Sequence, residues 1–187
     1  QKRADDLVKR NFSADRPDQL WVSDFTYIQT HSGWVYTAFI IDVFSRAIVG
    51  WKVSTRMNTD MVLDALEQAL HDRGMPKNVI HHSDRGVQYL SIRYTNRLEA
   101  ANLRASVGTT GDSYDNALAE TVNGLYKTEV IEYLKADWQG LADVQLATLN
   151  WVDWFNKKRV HSALGYVSPF EFEAMYYDKI NPLGQVA

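Results

Sequence analysis

The sequence predicts an α/β fold, a five-stranded mixed sheet flanked by helices. Three consecutive segments between residues 20 and 54 are rich in β-branched and aromatic residues and are separated by short turns. Helical and strand-like segments alternate after them, an order typical of a sheet that also contains parallel strands. With 187 residues, 45% of them hydrophobic, the chain is long enough for one domain with a sizeable core.

The first three predicted strands form an antiparallel meander. LWVSDFTYI, residues 20–28, is the first strand; Gly33 turns the chain into WVYTAFIIDVF, and Ser45 and Arg46 turn it again into AIVGWKVS. Short connections of this kind join antiparallel neighbours. On the first strand, Asp24 alternates with apolar and β-branched residues. A carboxylate in such surroundings must be paired or bound to a metal.

The remaining segments predict helices and two short strands. Asn58 precedes an apolar stripe that ends at Gly74, which indicates a capped amphipathic helix. NVIHHSD is a short buried strand ending at Asp84, and RASV is the fifth strand, with the helix YLSIRYTNRLEAANL between them. The glycine-containing segment GTTGDSYDN leads into the helix ALAETVNGLYKTEVIEYL, and WQGLADVQLATLNWVDWFNKK is another helix.

Composition limits the classes of protein to which this chain can belong. The chain has no cysteine, which excludes disulfides and thiolate zinc sites and fits a reducing cytosol. It contains no apolar run long enough to span a bilayer and no signal segment at its start. The net charge of −3 argues against a nucleic-acid partner. Bound divalent cations at an acidic site would offset that charge locally, so it does not decide the matter.

Three carboxylates are placed to hold a pair of divalent metal ions. Asp24 lies within the first strand, Asp84 ends the fourth, and Glu120 lies on the helix after the glycine-containing segment. Transfer of a phosphodiester uses two metals a few ångström apart, and Mg²⁺ prefers oxygen ligands. We therefore expect Asp24 and Asp84 on neighbouring strands. Lys127 follows Glu120 by seven residues, nearly two helical turns, so both lie on one face.

The acid spacing and its surroundings resemble DDE transposases and retroviral integrases. Between Asp84 and Glu120 lie 35 residues. The segments WVSDFTYI, IDVFSRAIVGW, HHSDRGVQY, GDSYDNALAETVNGLYKTE and NKKRVHSALGYVSPFEF occur in the order of bacterial insertion-sequence transposases of the two-frame, OrfB type. The resemblance covers roughly Arg16 to Met175. It implies a ribonuclease-H-like fold and two Mg²⁺ or Mn²⁺ ions, held by the three acids.

The resemblance also implies a reaction and its partners. Water attacks at the end of the element to release a 3′-hydroxyl, and this hydroxyl then attacks another phosphodiester. The partners are DNA, as transposon ends and target, and further copies of the chain, with no membrane; the place of work is the bacterial cytoplasm, at the nucleoid. Such transposases begin with helix-turn-helix regions. We expect residues 1–15 to be a linker from a missing N-terminal region and residues 16–187 an integrase-type catalytic domain with a C-terminal helical extension.

Five further residues are candidates for DNA contact, each with a structural alternative. Lys127 is the first; as a plain surface residue it would be a solvated helix charge. Asn116 fits a helix cap as well as a DNA contact. Arg159 and His161 follow a helix end at which cations suit the dipole, and their place in RVHSALGY makes DNA contact equally plausible. His82 shares a strand face with Asp84, which would place it in the cleft.

Other conspicuous residues have better structural explanations. Asp42 ends a strand, where an aspartate commonly hydrogen-bonds its own turn. Asp112 and Asp115 precede the glutamate helix, where the macrodipole favours acids. The six tryptophans occur mostly at strand and helix core spacing, and base stacking is the minority interpretation.

Two other functions remain open. A ribonuclease H or junction resolvase would share the carboxylates and the metals, but not the spacing or the RVHSALGY segment. A non-catalytic DNA-binding or assembly module would need no acids, and a degraded element should have lost at least one of the three. Strand joining separates the first alternative, because a pure nuclease never uses a DNA 3′-hydroxyl as its nucleophile. Metal binding separates the second.

Overall fold

The structure is a computed structural model that describes residues 13–83, 92–107, 117–134 and 137–182. Its regular elements follow the predicted order. The strands are β1 (Leu20–Thr30), β2 (Gly33–Asp42), β3 (Ile48–Ser54), β4 (Ile80–Ser83) and β5 (Arg104–Val107). The helices are α1 (Thr59–Asp72), α2 (Ile92–Ala100), α3 (Ala117–Tyr126), α4 (Leu141–Lys157) and α5 (Pro169–Ile180).

The strands form one mixed sheet in the order β3-β2-β1-β4-β5. β1, β2 and β3 are the antiparallel meander, and β4 and β5 continue the sheet in parallel with β1. This confirms the predicted five-stranded mixed sheet. Ser23 of β1 pairs with Ser83, the last residue of β4. In the sequence these two serines are followed by Asp24 and Asp84, and Asp84 itself lies outside the described residues.

Helices cover both faces of the sheet, as predicted. One core lies between the sheet and α1 with α2, and the other between the sheet and α3 with α4. In the second core, Phe39 of β2 meets the rings of Tyr126 and Trp151 edge-on, with centroid distances of 5.0 and 5.9 Å. This packing anchors α3 against the sheet and so positions the residues of its first turns.

Gly50 allows α1 to lie directly against β3. A Cβ atom at this position would lie 2.4 Å from the carbonyl oxygen of Ala65 and 3.0 Å from the Cβ of Ala69, too close for a side chain. The helix begins where predicted, because the Asn58 side chain accepts a hydrogen bond from the Met61 N–H at 3.1 Å. No helix in the described ranges is long and apolar enough to cross a bilayer.

The helix predicted over ALAETVNGLYKTEVIEYL changes its winding part-way. It is α-helical to Tyr126 and π-helical from Lys127 to Glu132, so the predicted helix is present and changes its winding at Lys127. The segment is anchored by distant partners: the Tyr126 hydroxyl contacts Thr148 of α4 at 2.7 Å, and Glu129 accepts a hydrogen bond from the indole N–H of Trp151 at 2.9 Å. The local pattern cannot reveal such anchors. A π-helical turn inside an α-helix often marks a functional site.

A buried ionic cluster ties α5 to the sheet. Arg73 binds Glu173 of α5 through both terminal nitrogens, at 2.9 and 2.7 Å, and Asp18 through Nε at 2.9 Å. Asp42 lies beside them and is fully buried. Its side chain accepts a hydrogen bond from the Asp18 N–H at 3.3 Å, so the predicted bond to its own turn was wrong. Burial and the charge of Glu173 raise the pKa of Asp42 to about 7.

Candidate active site

Asp24 lies on β1 directly after the residues that pair with β4 in the described part of the chain. Its side chain is half-buried on the face of the sheet that α3 covers. Oδ1 accepts a hydrogen bond from the Phe25 N–H at 2.8 Å, and Oδ2 accepts one from the Asn123 side-chain amide at 3.0 Å. The second of these bonds orients the carboxylate toward α3 at Asn123.

Asn123, which was not among the predicted site residues, connects α3 to β1. Its Nδ2 also approaches the Phe25 carbonyl oxygen, at 3.5 Å, and two acceptors at this atom fix which way the amide points. Among the described residues, the other amide atom, Oδ1, is buried without a hydrogen-bond partner. The signal that could have revealed the residue is the spacing of Glu120, Asn123 and Lys127, which places all three on one helix face.

Glu120 lies in the first turn of α3 and is exposed to solvent. It precedes Asn123 by three residues, about 4.5 Å along the helix axis. Because Asn123 contacts Asp24, the face of α3 that carries Glu120 is the face that meets β1 at Asp24. The structure thus brings two of the three predicted acids onto contacting elements. Asp84 and Asn116 lie outside the described residues, as do Asp112 and Asp115.

Lys127 is exposed at the first position of the π-helical segment. Its Nζ lies 5.2 Å from the centroid of the Tyr27 ring, a cation–π contact. Asn123 and Lys127, one helical turn apart, therefore meet β1 at Asp24 and at Tyr27. In the ranges that the structure describes, no carboxylate forms a salt bridge with Lys127. Its charge remains available to a phosphate.

The two neighbouring histidines of β4 are both buried. His82 has no exposed surface, and its Nδ1 shares a hydrogen bond of 2.8 Å with the Ser106 hydroxyl of β5. His81 contacts Ser23 and the Tyr94 hydroxyl, and burial together with the neighbouring His82 lowers its pKa to about 3. Ser106 is the register partner of His82 on β5, so both side chains lie on the same face of the sheet. The DNA contact expected of His82 stays a prediction.

Arg159 and His161 both make contacts inside the protein in this structure. Arg159 binds Glu129 of the π-helical segment, with its Nε and a terminal nitrogen 2.8 and 2.6 Å from one carboxylate oxygen. His161 is 7% exposed, and burial and the cations of Arg159 and Arg46 lower its pKa to about 4. A buried, neutral imidazole and an arginine held by a carboxylate are poorly placed to bind phosphate. The DNA contacts expected at these two positions stay predictions.

Comparisons with known proteins agree with this architecture. Two models of the integrase core domain match the chain, over residues 14–113 and 101–169. The transposase for insertion sequence element IS629 of Shigella sonnei is 58% identical over 177 residues, which cover 95% of this chain and 59% of that protein. A putative transposase for IS986/IS6110 of Mycobacterium tuberculosis is 52% identical over 180 residues, covering 94% of this chain and 64% of that protein. The chain thus spans about three fifths of the length of these relatives.

A solved structure shows the same fold. The HTLV-2 integrase catalytic core domain in complex with magnesium, in a dimeric form, superimposes with a TM-score of 0.67 at 19% sequence identity. The match covers 84% of this chain and 97% of that one. Retroviral integrase cores are ribonuclease-H-like, so the predicted fold is confirmed. From its family models and its close bacterial relatives, we conclude that the chain belongs to the integrase core family, with the transposases of insertion sequences.

Proposed function

We propose that this chain is the catalytic part of a DNA transposase, with Asp24, Asp84 and Glu120 as its catalytic acids. One observation carries the proposal: Asn123 hydrogen-bonds Asp24 at 3.0 Å and so holds the helix of Glu120 against β1. Two acids far apart in the sequence thereby lie on contacting elements. The bacterial relatives are transposases over nearly the whole of this chain, which supports the same assignment.

The described side chains of this centre fit Mg²⁺ or Mn²⁺. Asp24 and Glu120 offer carboxylate oxygens, and Asn123 Oδ1 is a buried oxygen without a hydrogen-bond partner among the described residues. Hard divalent cations select oxygen ligands of this kind. Asp84 would supply a third carboxylate, since it follows the serine that pairs with Ser23. Two ions held here would activate the attacking oxygen and stabilise the leaving oxygen.

The reaction consists of two phosphodiester transfers. In the first, water attacks the phosphorus at the end of the element, the bond to the flanking strand breaks, and the element is left with a 3′-hydroxyl. In the second, this hydroxyl attacks a phosphodiester of another strand, forms a new P–O bond and displaces a 3′-hydroxyl. Each transfer exchanges one P–O bond for another. Asn123 keeps the Asp24 carboxylate oriented during both, and the Lys127 cation holds a phosphate of the bound strand.

The proposed partners are DNA, as element ends and as target, and further copies of the chain assembled on paired ends. The overall charge of −3 gives no general attraction to DNA. Binding within this part of the protein therefore depends on local charge, from Lys127 and from the metal ions. Since both relatives come from bacteria, we place this activity at bacterial DNA.

Strand joining tests the proposal. The assay supplies the protein that contains this chain with Mn²⁺, a duplex ending in a 3′-hydroxyl, and a labelled target duplex. Asp24→Asn, Asp84→Asn and Glu120→Gln should each abolish joining, because each removes a charged oxygen ligand. Asp153→Asn is the control, since Asp153 is an exposed acid of α4 paired with Lys157, and it should join like the wild type. Cleavage without joining would favour a nuclease. DNA binding without cleavage and without joining would favour an assembly module. Joining by Asp24→Asn would refute the proposal.

A further inference from the structure

An exposed aromatic pair lies beside the proposed centre. Tyr27 of β1 is 55% exposed and Trp34 of β2 is 50% exposed. Their rings meet edge to face, with centroids 5.3 Å apart and planes at 83°. Most tryptophans were expected in the core, and Trp34 departs from that expectation. The edge-to-face contact leaves ring surface exposed to solvent, where a ligand can reach it.

The pair is close enough to the centre to meet the same DNA strand. Tyr27 follows Asp24 by three residues, about 10 Å along an extended strand, so the two side chains leave β1 on opposite faces. Lys127, which continues from α3 on the Asp24 face, still reaches the Tyr27 ring, because in the described residues the pairing of β1 with β4 ends at Ser23. The distance of about 10 Å equals about three base steps of B-form DNA, at roughly 3.4 Å per step. A DNA strand that reacts at Asp24 and crosses this part of β1 therefore reaches the aromatic pair within a few nucleotides.

A cation completes the cluster. Lys127 Nζ lies 5.2 Å from the Tyr27 ring centroid, and no carboxylate in the described ranges forms a salt bridge with it. Sites for single-stranded nucleic acid combine aromatic faces, which stack on bases, with cations that follow the phosphates. Tyr27, Trp34 and Lys127 provide both parts within one small surface.

We propose that Trp34 and Tyr27, together with Lys127, form a stacking site for an unpaired base of the DNA strand next to the reacting phosphodiester. This inference rests on the proposed function, which supplies the DNA. Trp34 provides the ring face, Tyr27 holds the indole from its edge, and Lys127 pairs with the adjoining phosphate. The site accepts any of the four bases, because stacking uses the ring face that every base has.

Binding of three DNA duplexes tests the site. One carries a two-nucleotide single-stranded extension, the second carries the same extension without bases, and the third is blunt. Affinity is measured by fluorescence anisotropy in Ca²⁺ with 3′-dideoxy ends, so that no joining competes. The wild type should prefer the extension with bases to the abasic one by roughly 5- to 100-fold, the range that one base stack provides. Trp34→Ala should lose this preference and Trp34→Phe should keep most of it.

Two controls separate stacking from other effects. Trp154 of α4 is 43% exposed and lies away from β1, so Trp154→Ala should bind all three duplexes like the wild type. Lys127→Ala should weaken binding of all three and flatten its salt dependence, since it removes a phosphate contact and not a stack. The abasic duplex tests the site on the wild-type protein, independently of how any variant folds.

Several outcomes would overturn the inference. Equal wild-type affinity for the extended and abasic duplexes would do so, as would a base preference that survives in Trp34→Ala. A change in the sedimentation of DNA-free protein in Trp34→Ala would identify the pair as a contact between copies of the chain. Strand joining without a base preference would refute the stacking site alone. A base preference that depends on Trp34, without strand joining, would refute the proposed function alone.

Discussion

Replacing Asn123 by alanine is the sharpest perturbation of the centre that leaves all three acids in place. The change removes the donor that lies 3.0 Å from Asp24 Oδ2. It also removes a buried amide oxygen that could accept or coordinate. The Asp24 carboxylate would keep only its bond to the Phe25 N–H and would be free to turn away from α3.

The size of the effect follows from two estimates. A hydrogen bond to a charged group contributes about 1.5–3 kcal/mol, and Asp24 is only half-buried, so we expect the metal-free protein to lose about 1–2 kcal/mol. Residues that orient metal ligands typically change metal affinity by roughly 10- to 100-fold. At a Mn²⁺ concentration of about 100 Kd, the wild type gains about 2.7 kcal/mol from the metal. In Asn123→Ala that gain should fall to between about 0.4 and 1.4 kcal/mol.

Thermal melting with and without Mn²⁺ measures both quantities, and strand joining measures activity. Asn123→Ala should show a smaller metal-induced rise in Tm and a roughly 10- to 100-fold slower joining rate. Asn150→Ala is the matched control, an exposed asparagine on α4, and should behave like the wild type. A full metal-induced rise and a normal joining rate in Asn123→Ala would show that the residue does not position Asp24.

Three further predictions concern residues that support the fold outside the proposed centre. Gly50→Ala should destabilise the fold by about 1–3 kcal/mol in urea unfolding, because its Cβ would clash with the Ala65 carbonyl oxygen at 2.4 Å. Arg159→Ala should destabilise the protein by about 1–3 kcal/mol, because Glu129 loses its cation and retains the Trp151 indole N–H. It should leave the salt dependence of DNA binding unchanged; a flatter salt slope would restore Arg159 as a phosphate contact. The pKa of Asp42 is raised from 3.8 to about 7 in the folded state, so stability should fall as pH rises from about 4 to about 7. Asp42→Asn should remove that slope, on the order of 4 kcal/mol, in urea titrations across this range.

The fold could be predicted because its signals are local. β-branched and aromatic runs mark β1 to β3, and Asn58 marks the start of α1. The change from α-helical to π-helical winding at Lys127 could not be predicted, because the residues that hold this segment, Thr148 and Trp151, lie on α4. A helical pattern shows which face is apolar. It does not show which residues will pack against that face or where the helix becomes π-helical.

The charged residues of the candidate site could be predicted from the sequence, whereas the neutral residue that contacts them could not. The acids stand out because a carboxylate in a strand, or on a helix after a glycine-containing segment, requires an explanation. Asn123 does not, since an asparagine on a helix is ordinary until its contact with Asp24 is seen. The partner of Arg159 was equally hidden in the sequence. Its place in RVHSALGY suggested DNA, whereas in the structure Glu129, 30 residues earlier in the chain, binds it.

We propose that the acids serve chemistry and not the fold, and thermal melting of their amide variants distinguishes the two roles. Wild type, Asp24→Asn, Asp84→Asn and Glu120→Gln are unfolded thermally with and without Mn²⁺. Carboxylates gathered in one cleft repel each other. We therefore expect metal-free Tm values equal to or above that of the wild type in Asp84→Asn and Glu120→Gln, and at most a small decrease in Asp24→Asn, which loses one of the two acceptors that bind Phe25 and Asn123. The metal-induced rise should be large in the wild type and much smaller in the variants. A metal-free Tm that collapses in all three variants, or a metal-induced rise that persists in all three, would contradict it.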